Sequence, residues 1–204
     1  MAHTVDYIHS EMVGQQTMNI YLIADTHFNH GKIATYCDRP ENFTETIIKA
    51  CRHTIQPQDH IIHLGDVFIG KPEGWDAIRP QLPGIWHLIR GNHDDKRSPS
   101  WWLEHGFASV CDGMMFRGAW LTHKPAEQLP RGCDLNIHGH LHNIWHGFHR
   151  NAPLGSSENS TFARKRLRFP WQRLFAIEYT QYRPVEFEKF VSHPDKYQAK
   201  GPVK

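Results

Sequence analysis

The sequence of 204 residues contains the stretch Leu88-Ile89-Arg90-Gly91-Asn92-His93-Asp94-Asp95, in which an apolar run ends at a glycine. An amide, an imidazole and two carboxylates follow that glycine within one turn. In open α/β sheets, ligands bind in the crevice outside the carboxyl ends of the strands, which is where such a turn places its polar side chains. We therefore expect chemistry at this turn.

The same arrangement recurs at four other places, where a short apolar run leads to an aspartate or a histidine. These are Asp25 and His27 after residues 21–24, Asp66 after 61–65, His123 after 120–122, and His140 and His142 after 135–139. Gly91 and Gly139 are expected to serve the tight turns that aim the following side chains. Because the carboxyl ends of parallel strands meet at one edge of a sheet, the five sets of side chains should converge.

Apolar spacing predicts an α/β fold in the first half of the chain. The predicted strands are 18–24, 60–64 and 85–89, and the predicted helices are 42–54, with Asn42 and Glu45 as a capping box, a short one around Trp75, Ile78 and Leu82, and one begun by Ser98 and Pro99. A strand, helix and strand in this order form a parallel unit with a right-handed crossover. Residues 25–40 are expected to be a loop.

The second half is expected to add an antiparallel portion. A hairpin is predicted from residues 108–111 and 114–122 with its turn at Asp112-Gly113, followed by strands at 134–138 and 174–179 and a loop at 151–161. We expect one domain over residues 18–204, preceded by an extension of unknown role at residues 1–17.

Composition limits the classes of partner. The formal net charge of +2 is too small to indicate nucleic acid by itself. No apolar run approaches membrane-spanning length, and Asp6, His9 and Glu11 interrupt the place where a signal peptide needs an apolar core. We therefore expect a cytoplasmic protein with no membrane partner. Its oligomeric state stays open.

The donor set at the strand ends predicts a metal centre. Two carboxylates, one amide and four imidazoles form a mixed oxygen and nitrogen set, which suits Mn²⁺, Fe or Zn²⁺ better than Ca²⁺ or Mg²⁺ alone. Seven ligands are too many for one tetrahedral ion. Two ions about 3.5–4 Å apart that share one carboxylate would use all seven, and would hold a bridging water as hydroxide near neutral pH.

The ordered motifs Asp25-Thr26-His27, Gly65-Asp66, Gly91-Asn92-His93-Asp94, His123 and Gly139-His140-Leu141-His142 resemble those of the calcineurin-like metallophosphoesterase family. The resemblance covers residues 18–143. It implies an αββα sandwich of mixed sheets flanked by helices, with two divalent metal ions, Mn²⁺ favoured. It also implies the ligand sets: Asp25, His27 and His142 for one ion, Asn92, His123 and His140 for the other, and Asp66 as the bridge.

The resemblance further implies that His93 protonates the leaving oxygen while Asp94 orients its ring. A neighbouring carboxylate favours the imidazolium form, which suits a general acid. The expected function is hydrolysis of a phosphoester, with a cyclic or nucleotide-derived phosphodiester, or nucleic acid, preferred as substrate over a phosphomonoester or a phosphoprotein. A compact chain offers little extra surface for a protein substrate. The alternative from another class is a catalytically silent metal-binding interaction module, which the complete set of motif residues argues against.

Several residues admit an ordinary structural explanation. His63, His87 and His138 lie inside predicted strands, so hydrogen-bonded packing or support of the site is favoured over metal ligation. His30 is equally compatible with a substrate contact and with a polar loop. The four cysteines lack metal-site spacing and are expected to be free thiols. The basic group Arg164, Lys165, Arg166 and Arg168 is more typical of a solvated face than of a phosphate clamp.

Overall fold

A computed structural model describes residues 17–143 and 169–197. The predicted extension (apart from Thr17), the predicted loop at 151–161 and the basic group at 164–168 lie outside the described residues.

The described strands form two sheets. The first has the order β4-β3-β2-β1-β9 and consists of β1 (Ile20–Ile23), β2 (His60–His63), β3 (Ile85–Ile89), β4 (Phe107–Cys111) and β9 (Val185–Glu186). Strands β1 to β4 are parallel, and β9 pairs antiparallel with β1. The second has the order β5-β6-β7-β8 and consists of β5 (Gly113–Phe116), β6 (Ala119–Thr122), β7 (Leu135–His138) and β8 (Gln172–Leu174). Both sheets are therefore mixed.

Helices follow most of the strands of the first sheet. They are α1 (Gly31–Cys37), α2 (Phe43–Thr54), α3 (Pro72–Ile78), α4 (Pro99–Glu104), α5 (Phe187–Ser192) and α6 (Pro194–Tyr197), with short 3-10 helices at Arg79–Gln81 and Asp94–Lys96. Helix α4 begins as predicted, because the Ser98 side chain accepts a hydrogen bond from the Trp101 N–H at 3.1 Å and Pro99 occupies the first turn.

The first sheet is buried on both faces, which explains why its strands are continuously apolar. On β1, Tyr21 and Ile23 pack in a core with residues of helices α1 to α4, whereas Ile20 and Leu22 pack in a second core with residues of the other sheet. Successive side chains of a strand point to opposite faces, so the two cores alternate along β1. The predicted sandwich of mixed sheets flanked by helices is confirmed.

Three local predictions were wrong. Helix α1 lies inside the stretch predicted as a loop; it has only seven residues, and its buried residues are Ile33 and Cys37, a pattern too short to be recognised. Strand β8 ends at Leu174, and the next residues are buried in turns instead of continuing the predicted strand. Helix α2 has no side-chain hydrogen bond at its N-cap residue Asn42, so the predicted capping box is absent.

The predicted hairpin is also placed differently. Strand β4 pairs parallel with β3 in the first sheet, and the antiparallel pair is β5 with β6 in the second. The turn of that hairpin is at Arg117 and Gly118, both of which have positive φ. Asp112 and Gly113 instead mark where the chain passes from one sheet to the other. The predicted hairpin turn at Asp112-Gly113 was thus wrong, because the strands on either side of it belong to different sheets.

Candidate metal centre

The predicted site residues all follow the carboxyl ends of strands, as expected. Asp25 and His27 follow β1, Asp66 follows β2, Asn92, His93 and Asp94 follow β3, His123 follows β6, and His140 and His142 follow β7. Backbone groups connect these loops. The His140 N–H donates to both Asp25 carboxylate oxygens at 3.1 and 3.0 Å, and the His93 N–H donates to Asp66 Oδ1 at 2.9 Å.

Asp66 lies between two histidines that follow different strands. Its Oδ2 is 3.7 Å from His27 Nε2 and 3.3 Å from His123 Nε2, and all three residues are buried. A carboxylate in this position lies next to one histidine of each ligand set that the resemblance implies. The bridging role of Asp66 stays a prediction, but its position agrees with that role.

Asp25, His27 and His142 form the first ligand group. One donor atom from each of the three lies within 4.8 Å of the other two. His142 Nε2 is 3.9 Å from Asp25 Oδ1. His27 Nε2 is buried and has no hydrogen-bond partner among the described residues, although burying an unpaired polar atom is costly. A cation would supply the missing partner.

Asn92, His123 and His140 form the second ligand group. His123 Nε2 is 3.1 Å from Asn92 Oδ1 and 3.1 Å from His140 Nδ1. The other ring nitrogen of His123, Nδ1, is 2.8 Å from the Leu64 carbonyl oxygen, which can only accept a hydrogen. In the neutral ring Nδ1 therefore carries the hydrogen, and Nε2 presents its lone pair toward the other two ligands.

In the metal-free chain, a proton on His123 offsets the repulsion between the acceptor atoms of this group and the Asp66 carboxylate. Burial opposes ionisation of Asp66, but hydrogen bonding to His123 and the charge of that ring outweigh it and lower the Asp66 pKa to about 2. Burial also opposes a charged His123, yet Asp66 and Asp25 raise its pKa to about 9. Metal ligands must be deprotonated, so cations would displace such protons. The donor set therefore fits two divalent cations.

The other ligands show the effect of burial more directly. Burial lowers the pKa of His27 well below its ordinary value and that of His140 to about 3, which leaves both rings neutral and able to ligate. Burial raises the pKa of Asp25 to about 6, against the opposing charges of His142 and His123. A nearby cation would favour the ionised form of this buried carboxylate and so lower its pKa.

Backbone strain is concentrated at the same residues. Five of the seven predicted ligands have left-handed backbone with φ between 46° and 71°: Asp25, His27, Asp66, His140 and His142. Such conformations are uncommon outside glycine and persist where the surrounding structure holds them, often at functional sites. The loops are therefore held in unusual shapes at the residues that would bind metal.

Gly91 and Gly139 have a different role from the one expected of turn residues, because neither has positive φ. A Cβ atom on Gly91 would lie 2.2 Å from Asp66 Oδ1, and one on Gly139 would lie 2.4 Å from Asp25 Oδ2. Both distances are far below van der Waals contact. These glycines therefore leave room for two ligand carboxylates.

His93 lies at the opening of the site. Its side chain is 35% exposed, and its Nε2 is 3.9 Å from Asp66 Oδ2. One donor atom each of His93, His27 and Asp66 lies within 4.8 Å of the others, so ligation by His93 is geometrically accessible as well. His30 is close by, with its ring centroid 6.1 Å from that of His93 and its Nδ1 3.4 Å from His27 Nδ1.

Asp94 makes no hydrogen bond or ion pair with the His93 ring in the described part of the chain, contrary to what the resemblance implied. Its buried carboxylate accepts hydrogen bonds from the backbone N–H groups of Asp66 at 2.7 Å, Gly91 at 2.8 Å and Val67 at 3.0 Å. Asp94 thus ties the loop after β3 to the loop that carries Asp66. Three backbone donors occupy the oxygens that were expected to face the histidine.

His63 and His87 have hydrogen-bond partners for both ring nitrogens, as predicted, whereas the buried Nε2 of His138 has none among the described residues. His63 Nε2 is 2.9 Å from Thr26 Oγ1, whose hydrogen goes to the Val67 carbonyl, and His63 Nδ1 accepts from the Gly65 N–H. His87 is 2.8 Å from both His60 Nδ1 and Ser109 Oγ. His138 Nδ1 contacts the Gly139 carbonyl oxygen. The four cysteines are free, also as predicted.

Two charged residues of the site escaped sequence analysis. Arg39 and Glu178 are buried behind the first ligand group, where Arg39 Nη2 is 2.7 Å from Glu178 Oε1. Each residue stands alone in its local sequence, and 139 positions separate them. The only local signal is an arginine placed directly before Pro40 in a loop rich in site residues.

A cavity of about 310 Å³ opens beside the second ligand group. Its lining includes Asn92 and His123 of that group, and the charged residues Arg90 and Lys124. Arg90 is paired with Asp95 and Asp112, at 3.1 and 2.5 Å. The cavity can hold a polar group next to the site.

No helix in the described parts of the chain is long and apolar enough to cross a membrane.

The chain is similar to known proteins in sequence and in fold. An uncharacterized protein of Methanocaldococcus jannaschii is 35% identical over 130 residues, which cover 60% of this chain and 69% of that protein. The crystal structure of a protein of unknown function from Aquifex aeolicus superposes with a TM-score of 0.59 at 24% identity, covering 86% of this chain and 99% of the other. The family model described as calcineurin-like phosphoesterase superfamily domain matches residues 18–154, and the chain belongs to that superfamily.

Proposed function

We propose that the chain hydrolyses a phosphoester with two divalent cations bound at its strand ends. The observation that supports this best is the position of Asp66, whose Oδ2 lies 3.7 Å from His27 Nε2 and 3.3 Å from His123 Nε2. The first ligand group would hold one cation, the second ligand group the other, and Asp66 both.

Two cations bound there would lower the pKa of a water they share and neutralise charge on the phosphoryl group. The mixed carboxylate, amide and imidazole set suits Mn²⁺, Fe or Zn²⁺. We favour Mn²⁺ because oxygen donors accompany the imidazoles in both groups and no thiolate is among them.

His93 is proposed as the general acid. Its ring is partly exposed at the opening, next to Asp66, where a leaving group would depart. A histidine there could hold a proton on a ring nitrogen and transfer it to the leaving oxygen, which contributes typically 10²–10⁴-fold to a rate. Asp94 serves this step indirectly, by holding the backbone of the loops that carry His93 and Asp66.

A phosphodiester is the proposed substrate class, cyclic or derived from a nucleotide. The cavity lined by Asn92, His123, Arg90 and Lys124 gives space for a second ester substituent beside the metal ligands. The charged residues in its lining favour a polar substituent, such as a sugar, over an apolar one. A phosphomonoester remains the alternative substrate within the same chemistry.

The test is metal-dependent hydrolysis by the purified chain after removal and replacement of metal. Bis-p-nitrophenyl phosphate and p-nitrophenyl phosphate would be compared with Mn²⁺, Fe²⁺, Ni²⁺ or Zn²⁺, followed by cyclic nucleotides and oligonucleotides. In the presence of metal, we expect diesters to be hydrolysed faster than monoesters. After chelation of the metal, we expect no hydrolysis. Dominant monoesterase activity would replace the diester proposal.

Absence of hydrolysis with every metal, by a chain that still binds two ions, would contradict the enzymatic proposal. A metal-binding interaction module would then be the better description. The complete ligand set and the strained backbone that holds it favour the enzyme.

A further inference from the structure

Arg39 and Glu178 form a buried ion pair directly behind His142. Arg39 is 5% exposed, and its Nε and Nη2 donate to Glu178 Oε1 at 3.0 and 2.7 Å. Both partners lie close to His142 Nδ1, which is 3.2 Å from Arg39 Nη2 and 3.2 Å from Glu178 Oε1. The pair is thus in contact with a ring of the first ligand group.

The hydrogens of Arg39 Nη2 determine which of these two contacts is a hydrogen bond. This nitrogen has two hydrogens, and two acceptors lie closer than His142: the Asp25 carbonyl oxygen at 2.8 Å and Glu178 Oε1 at 2.7 Å. Oxygen acceptors at these shorter distances take both hydrogens. None is then left for His142 Nδ1, so that atom must itself donate to Glu178.

With the hydrogen assigned to Nδ1, Nε2 of His142 is the ring nitrogen available to bind a metal ion. With its hydrogen on Nδ1, a neutral His142 has a lone pair on Nε2, the atom that lies 3.9 Å from Asp25 Oδ1. A carboxylate that accepts from the far nitrogen of a metal ligand orients the ring and makes it more basic. Cys37 Sγ is also close to this ring, but a thiol hydrogen-bonds only weakly.

Arg39 also holds the backbone of the first ligand group. It donates to the Asp25 carbonyl oxygen at 2.8 Å and to that of Thr26 at 3.2 Å. These two residues lead into His27, and both Asp25 and His27 have left-handed backbone. The contacts of Arg39 among the described residues include no member of the second ligand group.

We propose that Arg39 and Glu178 are positioning residues for the metal ion of the first ligand group alone. They fix the backbone of Asp25 and the Nδ1–H form of His142, and the ion of the second ligand group does not depend on them. The inference rests on the proposed two-metal function, but it concerns binding and not turnover.

The experiment is a titration of the metal-free chain of 204 residues with Mn²⁺, monitored by calorimetry. The metal content of the chain is then measured after gel filtration. The variants are Arg39→Lys, which keeps the charge but cannot make the same set of hydrogen bonds, and Glu178→Gln, which keeps the shape but removes the charge. Arg79→Lys is the matched control, because Arg79 also donates to backbone carbonyls, at Leu82 and Gly106, but contacts no predicted ligand.

We expect two ions per wild-type chain. In Arg39→Lys and Glu178→Gln, one of the two should bind roughly 10–100-fold more weakly while the other keeps its affinity. Arg79→Lys should bind both as the wild type does. Thermal unfolding of each metal-free variant shows whether any loss of metal follows a general loss of structure.

Wild-type affinity at both sites in Arg39→Lys and Glu178→Gln would overturn the inference, and so would equal weakening of both ions. If the wild type binds two ions but hydrolyses no phosphoester, the proposed function fails, while the selective loss of one ion would still support the inference. A wild-type chain that binds fewer than two ions would overturn both.

Discussion

The rings of His142 and His123 belong to opposite halves of the site and are held in different ways. His123 Nδ1 is fixed by a main-chain acceptor, the Leu64 carbonyl at the end of strand β2. His142 Nδ1 is fixed by the side chain of Glu178, which is itself held by Arg39. The first arrangement comes with the sheet, whereas the second requires two charged residues from distant parts of the chain.

This difference predicts unequal robustness. A main-chain acceptor directly after a buried parallel strand keeps its position as long as the sheet is intact. An ion pair between side chains can be altered by one substitution, and a buried pair that loses one partner leaves an uncompensated charge. The second ligand group should therefore tolerate changes around it better than the first.

Removing the shared ligand should abolish the difference between the halves. Asp66→Asn takes away the negative charge that both ions would share, so we expect metal content to fall from two ions toward none and turnover to be lost. The apolar residues of β2 should keep the fold. Metal analysis and circular dichroism measure the two effects, with Asp95→Asn as an exposed control. Two tightly bound ions and normal turnover in Asp66→Asn would remove the bridging role.

His93→Ala should leave both halves intact and affect the reaction alone. Two ions should be retained, while turnover falls by roughly 10²–10⁴-fold for alkyl or nucleoside esters, whose leaving oxygens need a proton. Nitrophenyl esters should be affected less, because nitrophenolate departs without one. His30→Ala, which removes the neighbouring imidazole, should show no such dependence. Loss of metal, or equal slowing of both ester types, would assign His93 to binding instead of acid catalysis.

Asp94→Asn should weaken the connection between the loops after β2 and β3. An amide cannot accept from all three backbone N–H groups that Asp94 now satisfies, and an unsatisfied buried donor costs about 1–3 kcal/mol. Denaturant unfolding of the metal-free chain measures this loss. Asp95→Asn changes the next residue, an exposed partner of Arg90, and should cost at most about 1 kcal/mol. Equal effects of the two substitutions would contradict the assigned role of Asp94.

The pH dependence of stability and of metal binding tests whether His123 of the second ligand group exchanges a proton for a metal ion. In the folded metal-free chain the pKa of His123 is raised to about 9, above the ordinary 6.5, so the folded state keeps a proton that the unfolded state releases. That contribution to stability is complete below pH 6.5 and is lost as pH rises through 9. A cation displaces the same proton, so metal binds more tightly as pH rises over this range.

The increase in Tm caused by Mn²⁺ should therefore grow between pH 6.5 and 9, by about 2–4 °C for each kcal/mol gained in binding. Calorimetry in two buffers of different ionisation enthalpy would count the protons released. A Tm increase that does not change over this range, without proton release, would show that His123 is not a ligand in competition with protons.

The sequence was sufficient for the parts of the molecule that have a local signal. Strand β3 has the predicted bounds, and the polar residues after five strands converge because parallel strands present their carboxyl ends together. Helix α4 was recognisable from Ser98 and Pro99. Each of these features depends on residues that are neighbours in the chain.

Features that depend on distant partners could not be predicted. Strand β4 belongs to the first sheet because it pairs with β3, whereas the Asp112-Gly113 motif predicted that it pairs with the strand that follows. The Arg39 and Glu178 pair has no local pattern beyond the position of Arg39 directly before Pro40. The family resemblance assigned Asp94 to the ring of His93, whereas its carboxylate accepts hydrogen bonds from the backbone N–H groups of Asp66 and Val67. These donors are 28 and 27 positions away in the sequence, so no local pattern indicates them.

The left-handed backbone at five of the predicted ligands restricts which amino acids can replace them. Outside glycine, this conformation is adopted most readily by asparagine, aspartate and histidine, and it costs other residues roughly 1–2 kcal/mol each. A glutamate or a cysteine would therefore destabilise the folded chain, with or without bound metal, if it replaced any of the five. These are Asp25, His27, Asp66, His140 and His142. The loop geometry thus limits how far mutation could shift this centre toward thiolate-preferring metals, independently of the metal supplied by the environment.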